Sequence, residues 1–161
     1  MLEQAEVSYA ILKVVHLLAV VLWIGPALGA YWFLYRAHRE ADLARRAWVE
    51  RLTERVLVLE HVALVVVIVS GVALVEIGPW GYATTPWLQK KLVAFAGVLL
   101  FEAFDIYLAH VLFRRLLATE RPFEAPAWLR AERLRLHLIR AAVIVGGLLI
   151  PAMFFFAVWK Q

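Results

Sequence analysis

Hydrophobic residues occur in four long runs, and shorter polar stretches separate these runs. The runs cover roughly residues 9–35, 56–77, 87–113 and 138–159. A bilayer core about 30 Å thick needs about 20 apolar residues in helical geometry, and each run reaches this length. Because lipid offers the backbone no hydrogen-bonding partners, a spanning segment must pair its own amides, which favours helices. The pattern therefore predicts an all-α integral membrane protein with four transmembrane helices.

The distribution of basic residues predicts how these helices are oriented. Every arginine lies in one of two stretches, residues 36–55 and 114–140. Short cytoplasmic loops are rich in Lys and Arg, so both stretches are expected inside and both chain termini outside. We predict one domain, residues 1–161, that forms an antiparallel bundle of four helices. It is expected to be a multi-pass protein of the cell (cytoplasmic) membrane, with the lipid bilayer as its main partner.

Composition restricts the classes of function. Hydrophobic residues make up 64% of the chain, which exceeds their usual share in soluble domains. The net charge of +4 is explained by inside loops that face anionic headgroups, and we expect no nucleic-acid partner. The chain has no cysteine, so disulfides, iron–sulfur clusters and Cys-ligated zinc are excluded. Any cofactor or metal ion must therefore be held by His, Met or carboxylate groups.

The polar stretches predict three different connections. The first inside stretch has no Gly or Pro, so helices one and two should extend past the bilayer and meet in a tight turn near residues 40–43. The outside loop, residues 76–87, contains two Pro, two Gly and two Trp, which is typical of a turn at headgroup level. The second inside stretch is interrupted at Pro122 and Pro126, after which a basic amphipathic segment should begin the fourth helix below the membrane.

The first helix has one face that suits close packing. At about 100° per residue, six residues share this face: His16, Ala19, Trp23, Ala27, Ala30 and Leu34. The small side chains let a neighbouring helix or a flat ligand approach, so Trp23 is a candidate cofactor contact. The opposite face carries Gly25 and Gly29, a spacing that favours helix pairing and predicts a homodimer as one outcome.

Two acidic residues lie within the third run, where a charge is costly. Glu102 and Asp105 are one helical turn apart, and they share a face with Lys91, which lies about 16 Å from Glu102 along the helix. Ionisable groups at this depth face the bundle interior and indicate a functional site, so both carboxyl groups are candidate catalytic groups. The alternative is a structural pair in which one protonated carboxyl group bonds to Ser70, Tyr107 or a backbone carbonyl.

Four of the five histidines lie at or within the apolar runs, one in each helix: His16, His61, His110 and His137. A cofactor inside a four-helix bundle needs ligands that converge from facing helices, so all four are candidate cofactor or metal ligands. His16 lies near the outer boundary and the other three lie near the inner boundary. His16 should therefore pair at the outer level with Lys91, Lys13 or Glu76.

The histidines allow two cofactor hypotheses. Two of the three inner histidines would hold a b-type haem, with His16 in a second site. Alternatively, the inner three and the nearby Glu60 would bind a transition metal such as Zn or Cu, because imidazole suits these ions. The simpler alternative is that each histidine is an interfacial residue, hydrogen-bonded to headgroups or to a neighbouring helix.

Two segments resemble a known group of small membrane proteins. In HLLAVVLWIG, His16 is followed by Trp23 and Gly25, and PWLQKKL begins the third run at residue 86. Both are similar to segments of the HemJ-type protoporphyrinogen oxidases and CopD-like copper-resistance proteins. The resemblance implies a four-helix membrane protein that binds haem b. It also implies that His16 is an axial ligand or catalytic residue and that Lys91 holds a substrate or a haem propionate.

The expected function is that of a haem b-binding membrane redox protein, an oxidoreductase that oxidises a porphyrinogen or exchanges electrons with a quinone. The face that bears Glu102 and Asp105 would carry protons toward the buried site. A His- and carboxylate-based metal-binding or copper-transport protein without haem is the alternative. A homodimeric scaffold without a cofactor is the third class.

Overall fold

The computed structural model describes residues 2–119 and 122–158, and this part of the chain contains helices and turns but no β-strand. Its elements are α1 (Leu2–Ala37), α2 (Leu43–Ile77), α3 (Pro86–Ile106), a π-helix (Tyr107–Phe113), α4 (Arg114–Leu117), a 3-10 helix (Pro122–Glu124) and α5 (Pro126–Val158). Within the described residues, four stretches are long and apolar enough to cross a membrane: Glu6–Ala37, Leu43–Ile77, Pro86–Leu117 and Pro126–Val158. The predicted all-α membrane fold is confirmed. Residue 159, the end of the fourth predicted run, lies outside the described residues.

The chain divides into two compact units, one that ends at Gly81 and one that begins at Tyr82. The first unit contains α1 and α2. The second contains α3, the π-helix, α4, the 3-10 helix and α5. The single domain expected over residues 1–161 stays a prediction.

Steps of three and four residues define the buried side of α2. Its buried residues include Arg46, Glu50, Thr53, Leu57, Glu60, Leu64 and Val67. This is the heptad spacing by which two helices pack side by side. Four residues of the stripe predicted on α1 are buried: Ala19, Trp23, Ala30 and Leu34. Because α1 packs against α2, this stripe forms the seam of a helical hairpin.

A hydrogen bond between His16 and Ser70 shows the register of this hairpin. The two helices run in opposite directions, so each step forward on α1 corresponds to a step back on α2. Counting from the bonded pair places Trp23 level with Ala63, and both are buried. The largest side chain of the α1 stripe therefore lies beside one of the smallest on α2.

The tight turn predicted near residues 40–43 is confirmed. Asp42 caps α2, because its carboxylate accepts hydrogen bonds from the backbone N–H groups of Ala44 at 2.9 Å and Arg45 at 3.3 Å. The two helices have 36 and 35 residues. At 1.5 Å per residue each is roughly 50 Å long, so both extend past a bilayer core of about 30 Å, as expected.

Gly25 and Gly29 lie on the other side of α1 from the seam. A Cβ atom built at either position has no neighbour within 4 Å. The homodimer expected through these glycines stays a prediction.

In the second unit, α3 packs against α5. Gly97 allows a close approach, since a Cβ atom there would lie only 3.3 Å from Cδ1 of Leu149. At the start of the second unit, the chain before α3 is held by Gln89, whose side-chain amide donates to the carbonyl oxygens of Ala83 at 2.8 Å and Tyr82 at 3.2 Å. Residues 82–89 therefore form an ordered turn, and the location of the loop on the outside stays a prediction.

A π-helix interrupts the third transmembrane segment. Leu108 and Phe113 are both buried although they are five residues apart. In an α-helix, residues with this spacing point about 140° apart, whereas the wider i to i+5 turn of a π-helix brings them to the same side. The sequence interpretation treated this segment as one uniform helix and missed the change. The π-helix lets the segment keep one buried side beyond Asp105.

An aromatic cluster lies where α5 begins. Trp128 is fully buried, and the rings of Phe113 and Phe123 meet it edge-on at centroid distances of 5.1 and 4.8 Å. The guanidinium carbon of Arg135 lies 4.0 Å from the centre of the Phe113 ring, a cation–π contact. The cluster joins the 3-10 helix and the start of α5 to the π-helix. The expected restart of the helix at Pro126 is confirmed.

Candidate cofactor site

His16 is the best-defined candidate ligand in the first unit. It is half-buried on α1, and its Nδ1 lies 2.9 Å from the hydroxyl oxygen of Ser70 on α2. Ser70 is itself buried, and its hydroxyl also bonds to the carbonyl oxygen of Val66, one turn earlier on α2. The imidazole is therefore held against the partner helix by a directed contact.

The hydroxyl of Ser70 lies between two partners, the carbonyl oxygen of Val66 and Nδ1 of His16. A hydroxyl group has one proton to donate, and a carbonyl oxygen can only accept. When Ser70 donates to Val66, its oxygen can accept from a protonated Nδ1 of His16. In the neutral ring, this tautomer places the lone pair on Nε2. That atom is then the one able to coordinate a metal ion or a haem iron.

Gly71 provides the space for the ring. A Cβ atom at this position would lie 3.3 Å from Cε1 of His16 and 3.8 Å from Nδ1. The sequence interpretation did not assign Ser70 or Gly71 to this histidine. A signal was present, because they are the only small or polar pair in the apolar run VVVIVSGVALV.

The partner of His16 at Nδ1 differs in kind from the expected ones. Depth along the helices suggested Lys13, Lys91 or Glu76, whereas the structure shows the neutral hydroxyl of Ser70. Lys13 and Glu76 are exposed. The depth argument considered charged groups only and therefore did not consider a serine. A neutral acceptor orients the ring without adding a buried charge.

Trp23 belongs to the seam of the hairpin. Only 3% of its surface is exposed, and it lies about 10 Å from His16 along α1. Its position level with Ala63 explains its burial by helix packing. Its role as a cofactor contact stays a prediction.

Glu60 and His61 form a second pair in the first unit. Glu60 is 1% exposed at a seam position of α2, and its Oε2 lies 3.1 Å from Nε2 of His61. His61 is half-buried. A carboxylate next to an imidazole can share a proton with it, and together they offer one oxygen and one nitrogen to a metal ion. The pair therefore has the chemistry expected of a proton-exchanging or metal-binding group.

The acidic residues of α3 occupy the side of the helix that the sequence predicts. Glu102 and Asp105 are buried, each at 8% exposure, together with Val98. Lys91 is half-buried nearer the start of the same helix. Three ionisable groups thus lie within one transmembrane segment, where their charges are costly unless compensated. Their catalytic roles stay predictions.

The other two histidines lie in the second unit. His110 is half-buried within the π-helix, and short π-helical segments within α-helices occur frequently at functional sites. His137 is exposed on α5. The ligand roles of both, and the expected convergence of His61 with them on one cofactor, stay predictions.

Comparison with known proteins agrees with the membrane fold. Residues 10–128 match a family described as "Predicted integral membrane protein (DUF2269)". No curated protein and no solved structure matches the chain. The matched residues include most of α1 and all of α2, α3 and the π-helix, and they cover well over half of the sequence. The chain therefore belongs to this family of predicted integral membrane proteins.

Proposed function

We propose that this protein binds haem b within the membrane and acts as a redox protein, with His16 as an iron ligand. The observation that supports this most is the hydrogen bond between Nδ1 of His16 and Oγ of Ser70 at 2.9 Å. Histidines that bind metals usually donate their other ring N–H to an oxygen acceptor, which sets the tautomer and the orientation of the ring. We propose that His16 donates to Ser70 in this way.

The surroundings of His16 fit the requirements of a haem ligand. Ser70 is buried and neutral, so it orients the imidazole at no cost in buried charge. Gly71 keeps space open beside Cε1 of the ring. Bound haem would supply one-electron redox chemistry, which the side chains alone cannot provide. Burial and the hydrogen bond at Nδ1 are the means by which this chain would adjust the reduction potential.

The proposed substrate is a porphyrinogen, which releases electrons and protons together when it is oxidised. The haem would take these electrons one at a time and pass them to a quinone, which we propose as the final acceptor. The resemblance of HLLAVVLWIG and PWLQKKL to HemJ-type oxidases favours the porphyrinogen. Within the second unit, Glu102 and Asp105 are buried on α3 and are the groups we propose to exchange protons. Lys91 on the same helix is the cation that we propose to pair with a carboxylate of a ligand bound by that unit.

An absorbance spectrum of the purified protein tests this proposal. The full chain is expressed with a haem supply and solubilised in mild detergent, and reduced-minus-oxidised spectra are recorded. We expect a Soret band and b-type α and β bands in the wild type. His16→Ala should lose them, while His38→Ala, which removes a histidine outside the predicted apolar runs, should keep them. A wild-type protein that is colourless under these conditions would refute haem binding.

A second candidate function is the binding of a transition metal without haem. It is favoured by the buried Glu60 carboxylate, which lies 3.1 Å from Nε2 of His61. A divalent ion would be bound by the carboxylate oxygen and the imidazole nitrogen, both in their deprotonated forms. Elemental analysis should then find bound Zn or Cu in the wild type, and less of it in His61→Ala. The absence of a Soret band together with bound metal would decide for this candidate.

A further inference from the structure

One face of α5 changes from cationic to apolar along its length. Its polar part consists of four exposed residues, the three arginines Arg130, Arg133 and Arg140 together with His137. Their spacing of three, four and three residues keeps them within about 80° of one another around the helix. The residues buried on this part of α5, among them Trp128 and Ile139, lie on the opposite side. We call these four residues the basic stripe.

The charge of the basic stripe is not balanced on its own helix. The described part of α5 contains one acidic residue, Glu132, which is buried at 4% exposure on the side away from the stripe. Arg133 donates to the carbonyl oxygen of Leu129, a neutral acceptor that does not cancel the charge of the guanidinium group. A face with this much exposed positive charge attracts anions.

Beyond Arg140, toward the C-terminal end of α5, the same face of the helix is apolar. Ile144, Leu148 and Phe155 follow at helical spacing, with exposed fractions of 63%, 67% and 56%. From Arg140 to Phe155 the helix rises about 22 Å, which is most of a bilayer core of about 30 Å. The face is thus cationic at one end and apolar over the length of a lipid tail.

The position of the basic stripe agrees with the boundary of the bilayer. It rises about 15 Å, and its last arginine lies at the start of the fourth apolar run. A headgroup layer is roughly 5–8 Å thick, so the middle of the stripe lies at phosphate level. Arg140 lies deeper and can extend its side chain up to the same level.

We propose that this face of α5 binds anionic phospholipid, with the phosphate on the basic stripe and an acyl chain along Ile144, Leu148 and Phe155. A free phosphate would use only the cationic end, whereas a phospholipid matches both ends of the face. Guanidinium groups favour this ligand because they form paired hydrogen bonds with phosphate oxygens.

Spin-labelled lipids provide the test, with the full-length protein reconstituted in phosphatidylcholine vesicles. Electron paramagnetic resonance measures how strongly labelled phosphatidylglycerol associates with the protein relative to labelled phosphatidylcholine. The stripe variant carries Arg130→Gln, Arg133→Gln and Arg140→Gln. The matched control removes three exposed arginines of the first unit: Arg39→Gln, Arg45→Gln and Arg51→Gln.

We expect the wild type to prefer phosphatidylglycerol about fivefold or more, the effect of a single well-placed basic residue near an anionic surface. The stripe variant should lose most of this preference and the control should keep it. A variant with lysine at the three stripe positions should retain part of it, because charge is kept but paired hydrogen bonding is not.

Three results would overturn the proposal. The first is a wild type without preference, and the second is an equal loss in the stripe variant and the control, which would indicate net charge alone. The third is displacement of the lipid by inorganic phosphate beyond the effect of sodium chloride at equal ionic strength, which would indicate a site for free phosphate. Circular dichroism of each variant confirms that it is folded.

Discussion

The contact between Gly71 and His16 predicts that two chemically identical substitutions have different effects. Replacing glycine by alanine within a helix favours the helix by about 1 kcal/mol when nothing obstructs the new methyl group. At Gly29 nothing lies within 4 Å of the added Cβ. Gly29→Ala should therefore leave the hairpin as stable as the wild type or stabilise it by up to about 1 kcal/mol.

At Gly71 the added Cβ would lie 3.3 Å from Cε1 of His16. This is closer than ordinary van der Waals contact, so the ring must move by a few tenths of an ångström. The ring is held by its 2.9 Å hydrogen bond to Ser70, and the movement must stretch or bend that bond. Gly71→Ala should therefore lose the propensity gain. Gly71→Val should destabilise the hairpin by about 1–3 kcal/mol, as overpacking does in well-packed cores.

The assay is thermal unfolding of each variant in the same detergent, followed by circular dichroism. A double-mutant cycle isolates the contact: in a His16→Ala background, Gly71→Ala should behave like Gly29→Ala, since the ring is gone. Haem retention provides a second readout, because Gly71→Val should weaken it while Gly29→Ala should not. Equal changes in stability for alanine at both glycines, with or without His16, would show that the contact has no energetic effect.

Three further predictions concern other contacts. Ser70→Ala should remove the hydrogen-bond partner of His16 Nδ1, destabilise the hairpin by about 1–3 kcal/mol and shift the midpoint potential of bound haem. Trp128→Ala should cost about 3–5 kcal/mol in unfolding free energy, whereas Trp128→Phe should cost clearly less because the ring contacts are partly kept. Deleting Val111 should convert the π-helix to an α-helix while Phe113 stays in the core, so the thermal unfolding temperature should change little. Deleting Leu99, which lies in α3, should rotate all later residues of the helix by about 100° and unfold the second unit.

The helices that span the bilayer could be predicted from local properties of the sequence, namely the length of the apolar runs and the positions of proline. Runs of about 20 apolar residues must be helical in lipid, and Pro122 and Pro126 remove the backbone donors that a continuous helix needs. The stripe on α1 also followed from the sequence, because helical periodicity alone places Ala19, Trp23 and Ala30 on one side.

The candidate site was predictable only in part. An ionisable residue in a long apolar run is rare, so His16, Glu102 and Asp105 could be identified from the sequence as candidate site residues. The partner of His16 could not, since Ser70 lies 54 residues away and is brought to it by the register of the hairpin. Periodicity describes a helix by itself and contains no information about which residue of another helix lies opposite.

The sequence by itself determined the membrane class, the number of spans and the residues on each helical face, because hydrophobic length and helical period act locally. Tertiary structure alone decided the hydrogen-bond partner of His16 at Nδ1, the space beside the ring at Gly71 and the burial of Trp128. The π-helix also depends on tertiary structure. Its wider turn lets Leu108 and Phe113 both pack into the same core. These features depend on atoms that are distant in the chain, and only the packed helices bring them together.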